Sequence, residues 1–184
     1  SFVLLAIFPF IARSLLAALQ RRKALAGFKR PKKFDTNLLV IGAGSAGLVS
    51  AYIAATVGAK VMLVEKAAMG GDCLNTGCVP SKALIRAAKS VKDIERASRF
   101  GIEVGVPVVD FAKVMGRVKD VIGEIAPHDS VERFTGLGVD CVEGNARILS
   151  PWEVEVDGRI VSAQRIILAT GASPIVPRIS GIEQ

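Results

Sequence analysis

The stretch from Asn37 to Glu65 constrains the fold more than any other part of the chain. Asn37-Leu38-Leu39-Val40-Ile41 is a short apolar run of strand character. Gly42-Ala43-Gly44-Ser45-Ala46-Gly47 follows without a spacer, and Leu48 to Val57 is a helix of small and apolar residues. Gly58-Ala59 turns the chain into a second strand, Lys60-Val61-Met62-Leu63-Val64, which ends in Glu65. Strand, G-x-G-x-x-G, helix, strand and terminal acid together predict a parallel βαβ unit.

Each residue of that unit has a physical task. Gly42 permits the tight turn, Gly44 lets backbone approach a pyrophosphate, and Gly47 lets helix pack closely on strand. The helix N-terminus favours diphosphate charge. Glu65 can accept hydrogen bonds from ribose hydroxyls. The unit therefore predicts a dinucleotide site.

A second constellation follows at once. Gly70-Gly71-Asp72-Cys73-Leu74-Asn75-Thr76-Gly77-Cys78-Val79-Pro80-Ser81-Lys82 carries two cysteines in a Gly-rich turn. Pro80 and Ser81 open a helical run, Lys82 to Lys89, and Pro suits a first helical turn. The cysteines fall at or just before that helix N-terminus, whose dipole favours a thiolate. Cys78 and Lys82 share a face if the helix reaches back that far, and the ammonium lowers the thiol pKa further. That pattern suits a dithiol/disulfide redox centre; taken alone, the two cysteines equally suit buried structural thiols, and the dinucleotide unit ahead of them favours the redox reading. Zinc would need a second ligand pair, and only Cys141 and His128 remain, neither with a partner at ligand spacing. No metal site is expected.

The helix from Lys82 is predicted to run towards Phe100-Gly101. A second helical stretch covers Val109 to Phe134, broken near Ala126-Pro127. Its Phe111, Val114, Val118, Val121, Ile122 and Ile125 have helical period and read as core or inter-helix packing. His128 reads as a helix-end residue and Cys141 as an inert strand thiol. Trp152–Val156 and Arg159–Ala163 straddle Asp157-Gly158, a two-residue hairpin signal. Arg165 to Leu168 reads as a buried strand that leads into Ala169-Thr170-Gly171, with Pro174 and Pro177 making an extended exit.

The net charge of +7 is local. Residues 1–34 hold eight basic residues and no acidic one; the other sixteen basic residues stand against all seventeen acidic ones in residues 35–184. A near-neutral globular part argues against nucleic-acid binding. We expect two parts: residues 1–34, an apolar then basic membrane-proximal helix and linker, and residues 35–184, one domain. The apolar run from Ser1 to Ala12 fits the end of a transmembrane helix, with the basic cluster placing the domain on the cytoplasmic, inner face. An interfacial helix and an acid-free organelle transit segment fit as well. Residues 1–33 are thus expected to associate with a membrane. Three cysteines are too few for a secreted disulfide scaffold. Ser1 opens the sequence inside an apolar run, and we read it as part of a longer chain at both ends.

Gly42-x-Gly44-x-x-Gly47 with Glu65, Gly70-Gly71-x-Cys73-x4-Cys78-x-Pro80-Ser81-Lys82 and Ala169-Thr170-Gly171-x-x-Pro174 occur in fixed order. Together they resemble the FAD-binding domain of class I pyridine nucleotide-disulfide oxidoreductases, a family that includes dihydrolipoamide dehydrogenase, glutathione reductase and mercuric reductase. The resemblance covers residues 36–184. It implies an α/β, Rossmann-like FAD-binding domain with a parallel sheet and a small antiparallel β-meander. It implies Cys73 as interchange thiol, Cys78 as the thiol against the flavin, and Lys82 beside both. Gly42, Gly44, Ser45, Ala46, Gly47, Glu65 and Lys66 would hold the ADP half of FAD. Gly71, Asp72, Cys73, Lys82, Ala146, Ala169, Thr170 and Gly171 would complete its site. Electrons would pass from NAD(P)H, bound outside these residues, through FAD to the Cys73–Cys78 disulfide and on to a small-molecule, disulfide or metal-ion substrate. A homodimer is implied for the full-length protein.

Ser81 departs from the Lys usual at that place in glutathione reductase, which weighs against glutathione, and Ala126 to Phe134 resembles the mercuric-reductase branch. The alternatives are a dihydrolipoamide dehydrogenase-type activity, or a non-catalytic flavin-binding redox module on a membrane anchor.

Overall fold

β1 (Thr36–Ile41) is the central strand. In a computed structural model of the chain, which describes residues 2–173 and 175–182 with side chains from residue 12 onward, it pairs in parallel on both sides. Pro174, the last residue of the third motif, lies outside the described residues. β2 (Val61–Glu65) runs beside β1 with Leu38 opposite Val61 and Ile41 opposite Val64. β3 (Val139–Glu143) extends the sheet beyond β2. β6 (Arg159–Leu168) flanks the other side of β1, with Thr36 opposite Ala163 and Ile41 opposite Leu168. β4 (Ala146–Ser150) and β5 (Glu153–Val156) complete a sheet of order β3-β2-β1-β6-β5-β4. The parallel part fits a Rossmann-like fold and the β4-β5-β6 part is the antiparallel meander.

The strands divide their side chains between two cores because alternate residues point to opposite faces. Val40, Val61 and Leu63 pack under α2 (Ser45–Thr56), against Leu48 and Ala51, with Phe134 of α6 (Val131–Gly136). Leu39, Met62 and Val64 pack on the other face against Val154, Val156 and Val161 of the meander. β2 is therefore buried on both faces nearly along its length, and β1 at Leu39 and Val40, as near-continuous apolar runs require.

β6 differs from expectation. The sequence suggested two strands, Arg159–Ala163 and Arg165–Leu168, and the second a buried one. One ten-residue strand covers both. Its first residues pair antiparallel with β5 across the Asp157-Gly158 turn, and from Ala163 onward it pairs in parallel with β1. Both turn residues have positive φ, +44° and +85°, as a primed hairpin turn demands. Asp35 marks the switch between pairings. Its Oδ2 accepts from the Ser162 backbone N–H (2.9 Å) and hydroxyl (2.7 Å), and its own N–H donates to the Ser162 carbonyl (3.0 Å). Leu168, at the strand end opposite Ile41, is exposed rather than buried.

α4 (Cys78–Glu95) packs against α5 (Phe111–Ile125). A 3₁₀ turn over Ala97–Phe100 ends the first at Gly101, and another over Ala126–Asp129 ends the second. Val118 is the buried residue of α5, whereas Phe111 is 66% exposed and is not the core residue its spacing suggested. It stands in the first turn, where Asp110 caps the helix by accepting from the Lys113 N–H. α1 (Phe2–Leu25) precedes the basic linker. The apolar run expected to meet a membrane falls largely on residues whose side chains lie outside the described ones; Leu15, Leu16 and Leu19 beyond it are exposed. Among the described residues no helix is long and apolar enough to cross a membrane.

Candidate functional site

Three backbone segments meet at the C-terminal ends of β1, β2 and β6. The first is the glycine loop between β1 and α2. A Cβ on Gly42 would sit 2.3 Å from the Ala169 carbonyl oxygen, and one on Gly47 would sit 1.8 Å from the Gly42 oxygen. Glycine at both is thus dictated by contact, the first with the Ala169-Thr170-Gly171 segment. Gly44 is the N-cap of α2 and offers no capping side chain, so the first N–H groups of a 12-residue helix lack a side-chain acceptor. That is an anion site in waiting.

Glu65 is more occupied than the sequence suggested. Its Oε2 accepts from the Ala43 N–H (2.6 Å) and its Oε1 from the Ala67 N–H (2.9 Å). It staples the glycine loop to the end of β2. Each oxygen keeps a second acceptor site, and the side chain lines the cavity, so ribose recognition is still open to it.

The cavity measures about 410 Å³. Ten of the predicted residues line it: Gly42, Gly44, Glu65, Lys66, Gly71, Asp72, Ala146, Ala169, Thr170 and Gly171. Ser45, Ala46 and Gly47 form the helix start behind it, and Cys73, Cys78 and Lys82 lie on the neighbouring helices. Seven lining residues went unpredicted: Ile41, Val64, Ala67 and Ala68, which adjoin predicted ones, and the two groups that follow. Gly144-Asn145 enters beside Ala146, held by Gly144 N–H to the Glu65 carbonyl (2.9 Å) and Asn145 N–H to Asp157 Oδ1 (3.1 Å). Asn75 enters from the cysteine turn, and an Asn between glycines is the one signal that could have found it.

The cysteine turn joins the glycine loop directly. Gly70 N–H donates to the Ala43 carbonyl (2.9 Å), and a Cβ on Gly71 would sit 2.7 Å from the Gly44 Cα. Cys73 is not in a loop, as expected, but in α3 (Gly71–Asn75), a single turn launched by the left-handed Gly70. α4 begins at Cys78 itself, so the expected i, i+4 relation to Lys82 holds and Pro80 falls in its first turn. Cys73 is half-buried, Cys78 exposed, and both are free thiols.

The two sulfurs are electrostatically unlike. The Ser45 hydroxyl and the Cys78 thiol, both hydrogen-bonding to Cys73, pull it below the ordinary thiol range; Lys82 adds to this, while burial and Asp129 oppose. Cys78 is raised, because it donates to Cys73 and faces its charge. By spacing alone, the ammonium's benefit falls to Cys78. Lys82 does lower Cys78, but the Cys73 charge outweighs it. The pair therefore releases its first proton with the charge centred on Cys73 and holds the second. Cys141, half-buried on β3, is raised by burial, in keeping with an unreactive strand thiol.

A family model, pyridine nucleotide-disulphide oxidoreductase, matches residues 36–184. The chain belongs to this family. Pyridine nucleotide-disulphide oxidoreductases are enzymes that use FAD and NAD(P)H. A mercuric reductase of Lysinibacillus sphaericus is 36% identical over 80% of this chain and 27% of its own length. A dihydrolipoyl dehydrogenase of Acholeplasma laidlawii is 35% identical over 82% and 45%. A glutathione reductase of Burkholderia cepacia is 38% identical over 82% and 33%. The HOCl-induced flavoprotein disulfide reductase RclA from Escherichia coli has a similar structure, with TM-score 0.64 and 26% identity over 80% of this chain and 31% of that one. The chain spans between about a quarter and just under half the length of these curated relatives. The residues present fit FAD: an uncapped helix N-terminus, backbone-lined walls that a Cβ would block, and a carboxylate at the end of β2.

Proposed function

We propose that residues 35–184 form the flavin-binding, dithiol-bearing part of an NAD(P)H-linked disulfide oxidoreductase whose substrate chemistry is that of a mercuric reductase. One observation carries this reading. The turn that presents Cys73 and Cys78 also supplies Gly71, Asp72 and Asn75 to the cavity wall, so the dithiol stands at the edge of the nucleotide site.

The α2 N-terminus would hold the diphosphate of FAD, Glu65 its ribose, and Ala146 and Thr170-Gly171 would border the rest. Bound FAD supplies the relay by which NAD(P)H reduces the protein. The chain's own part is thiol chemistry. The Cys73–Cys78 disulfide takes up two electrons and one proton from solvent; its S–S bond breaks, the proton binds Cys78, and Lys82 offsets the charge left on Cys73. The Cys73 thiolate then attacks the substrate: a thiophilic metal ion is bound by it, or a disulfide sulfur is attacked and its partner leaves as a thiolate. Cys78 then gives up its proton and attacks Cys73 Sγ; the S–S bond re-forms as the substrate's second thiolate leaves, or as the metal ion departs carrying the two electrons.

Dihydrolipoyl dehydrogenase chemistry is the second reading, supported by relatives of that name at nearly the same identity. Ser81 does not exclude glutathione, given the identity to a reductase of that name. We further propose that residues 1–34 rest on an anionic membrane at its cytoplasmic face. Eight basic residues without an acid and the exposed Leu15, Leu16 and Leu19 support this. A homodimer of the full-length protein is part of the same proposal.

The test is a joint one. The purified chain should quench FAD fluorescence on binding, and mild oxidation should give a peptide map with a Cys73–Cys78 link and free Cys141. Absence of both the quenching and that link would end the proposal.

A further inference from the structure

Asn75 lies two residues after Cys73 and three before Cys78. It is the last residue of α3, half-buried, and it uses both hydrogens of its side-chain amide. Nδ2 donates to the Met69 carbonyl at 3.1 Å and to the Gly71 carbonyl at 2.8 Å. The two acceptors straddle Gly70 and Gly71, whose φ values are +84° and +55°. Consecutive left-handed glycines make a hinge that needs holding, since glycine gives up more backbone freedom on ordering than any other residue; its N–H groups bond to the Ala43 and Ala68 carbonyls, and Asn75 holds the carbonyls on either side. Among the described residues Asn75 is the one side chain that hydrogen-bonds to this hinge. α3 cannot hold itself: five residues are far below the length at which a helix is stable alone.

Whatever fixes the hinge fixes Cys73, which rides on the single turn that follows it. Disulfide closure needs Cβ atoms about 3.5–4.5 Å apart, so a wandering α3 dilutes one sulfur about the other. We propose that Asn75 is the positioning residue of the dithiol: its amide clamps the Met69–Gly71 backbone and so keeps Cys73 where Cys78 can close on it. The inference rests on the dithiol reading above. It assigns the Asn a role through Cys73, not a contact with substrate.

The chemistry of the side chain makes a sharp test. Asp at this position has the same shape but presents only acceptors when ionised, and would face two carbonyl oxygens. Gln keeps both donors on a longer arm. Thr76 is the natural control. Its hydroxyl reaches the Asp72 carbonyl at 3.5 Å and does not touch the hinge.

The 184-residue chain, without flavin, is equilibrated against mixtures of oxidised and reduced dithiothreitol. Cys73 and Cys78 lose two electrons and two protons as their S–S bond forms; oxidised dithiothreitol takes these up as its own S–S bond breaks. The equilibrium constant is read by alkylation and mass spectrometry. Asn75→Ala is expected to lower it about tenfold, close to 30 mV for a two-electron couple. Asn75→Asp should lower it further, Asn75→Gln should recover part of the loss, and Thr76→Ala should leave it unchanged. If Asn75→Ala does not fold by circular dichroism, the Asn75→Asp and Asn75→Gln pair decides. Variants within twofold of the wild type would overturn the role of Asn75 while leaving the dithiol reading intact. A wild-type chain that forms no Cys73–Cys78 disulfide at any mixture would overturn both.

Discussion

The Gly70 N–H donates to the Ala43 carbonyl across 2.9 Å, so the glycine loop after β1 and the turn that launches the dithiol are hydrogen-bonded into one piece of backbone. Gly71 completes the join, its Cα pressed against Gly44.

Gly71→Ala is therefore expected to injure two functions at once. The new Cβ would need to sit 2.7 Å from the Gly44 Cα, at φ +55°. The strain should cost about 1–3 kcal/mol of stability, and FAD affinity should fall even at temperatures where the variant is folded. Chemical denaturation and flavin fluorescence titration check the two separately. An alanine variant that binds FAD as the wild type does would show that the join does not shape the cavity.

Alkylation should discriminate between the thiols. Cys73 is held below the ordinary thiol range and Cys78 above it. At neutral pH iodoacetamide should label Cys73 first, with a rate that rises through a pH lower than that of a free thiol. Cys78→Ser keeps a hydroxyl donor and should move this profile little. Cys78→Ala and Lys82→Met should each shift it upward in pH, because each removes a group that favours the thiolate. Mass spectrometry of labelled peptides reads the order directly.

Acid should loosen the strand switch. Asp35 is lowered from its ordinary value chiefly by the backbone N–H and then the hydroxyl of Ser162. A depressed carboxyl stabilises the fold above its unfolded pKa and loses that contribution as pH falls through the folded one. The wild type should therefore lose part of its stability below about pH 4, near the usual Asp value. Asp35→Asn should be less stable at pH 7 and show a flatter profile across the acid range. Thermal melts between pH 3 and 7 measure both, and parallel profiles would remove Asp35 from the account.

The βαβ unit was legible because its signals are local. An apolar run, a glycine spacing and a terminal acid each speak for themselves within 29 residues of one another. The hairpin at Asp157-Gly158 was legible for the same reason. The continuity of β6 was not, because Gln164 and Arg165 interrupt its apolar pattern and the switch is set by Asp35, 127 residues from Ser162. The helical placement of Cys73 was hidden too. A five-residue helix has no periodicity to read, and this one exists because Gly70 packs under Leu74 and Asn75 grips Gly71. Phe111 misled because spacing reports which residues share a face, not whether anything covers it. At the site, residue types gave the glycines and cysteines, while the division of charge between the two sulfurs depends on Ser45, which only the fold brings near.

β6 has a mechanical meaning as well. A ten-residue strand is about 33 Å long, and this one runs unbroken from the hairpin tip to the threshold of Ala169-Thr170-Gly171. Paired first with β5 and then with β1, it binds the outer hairpin and the wall of the cavity into one hydrogen-bonded sheet, so the two ends share a single frame.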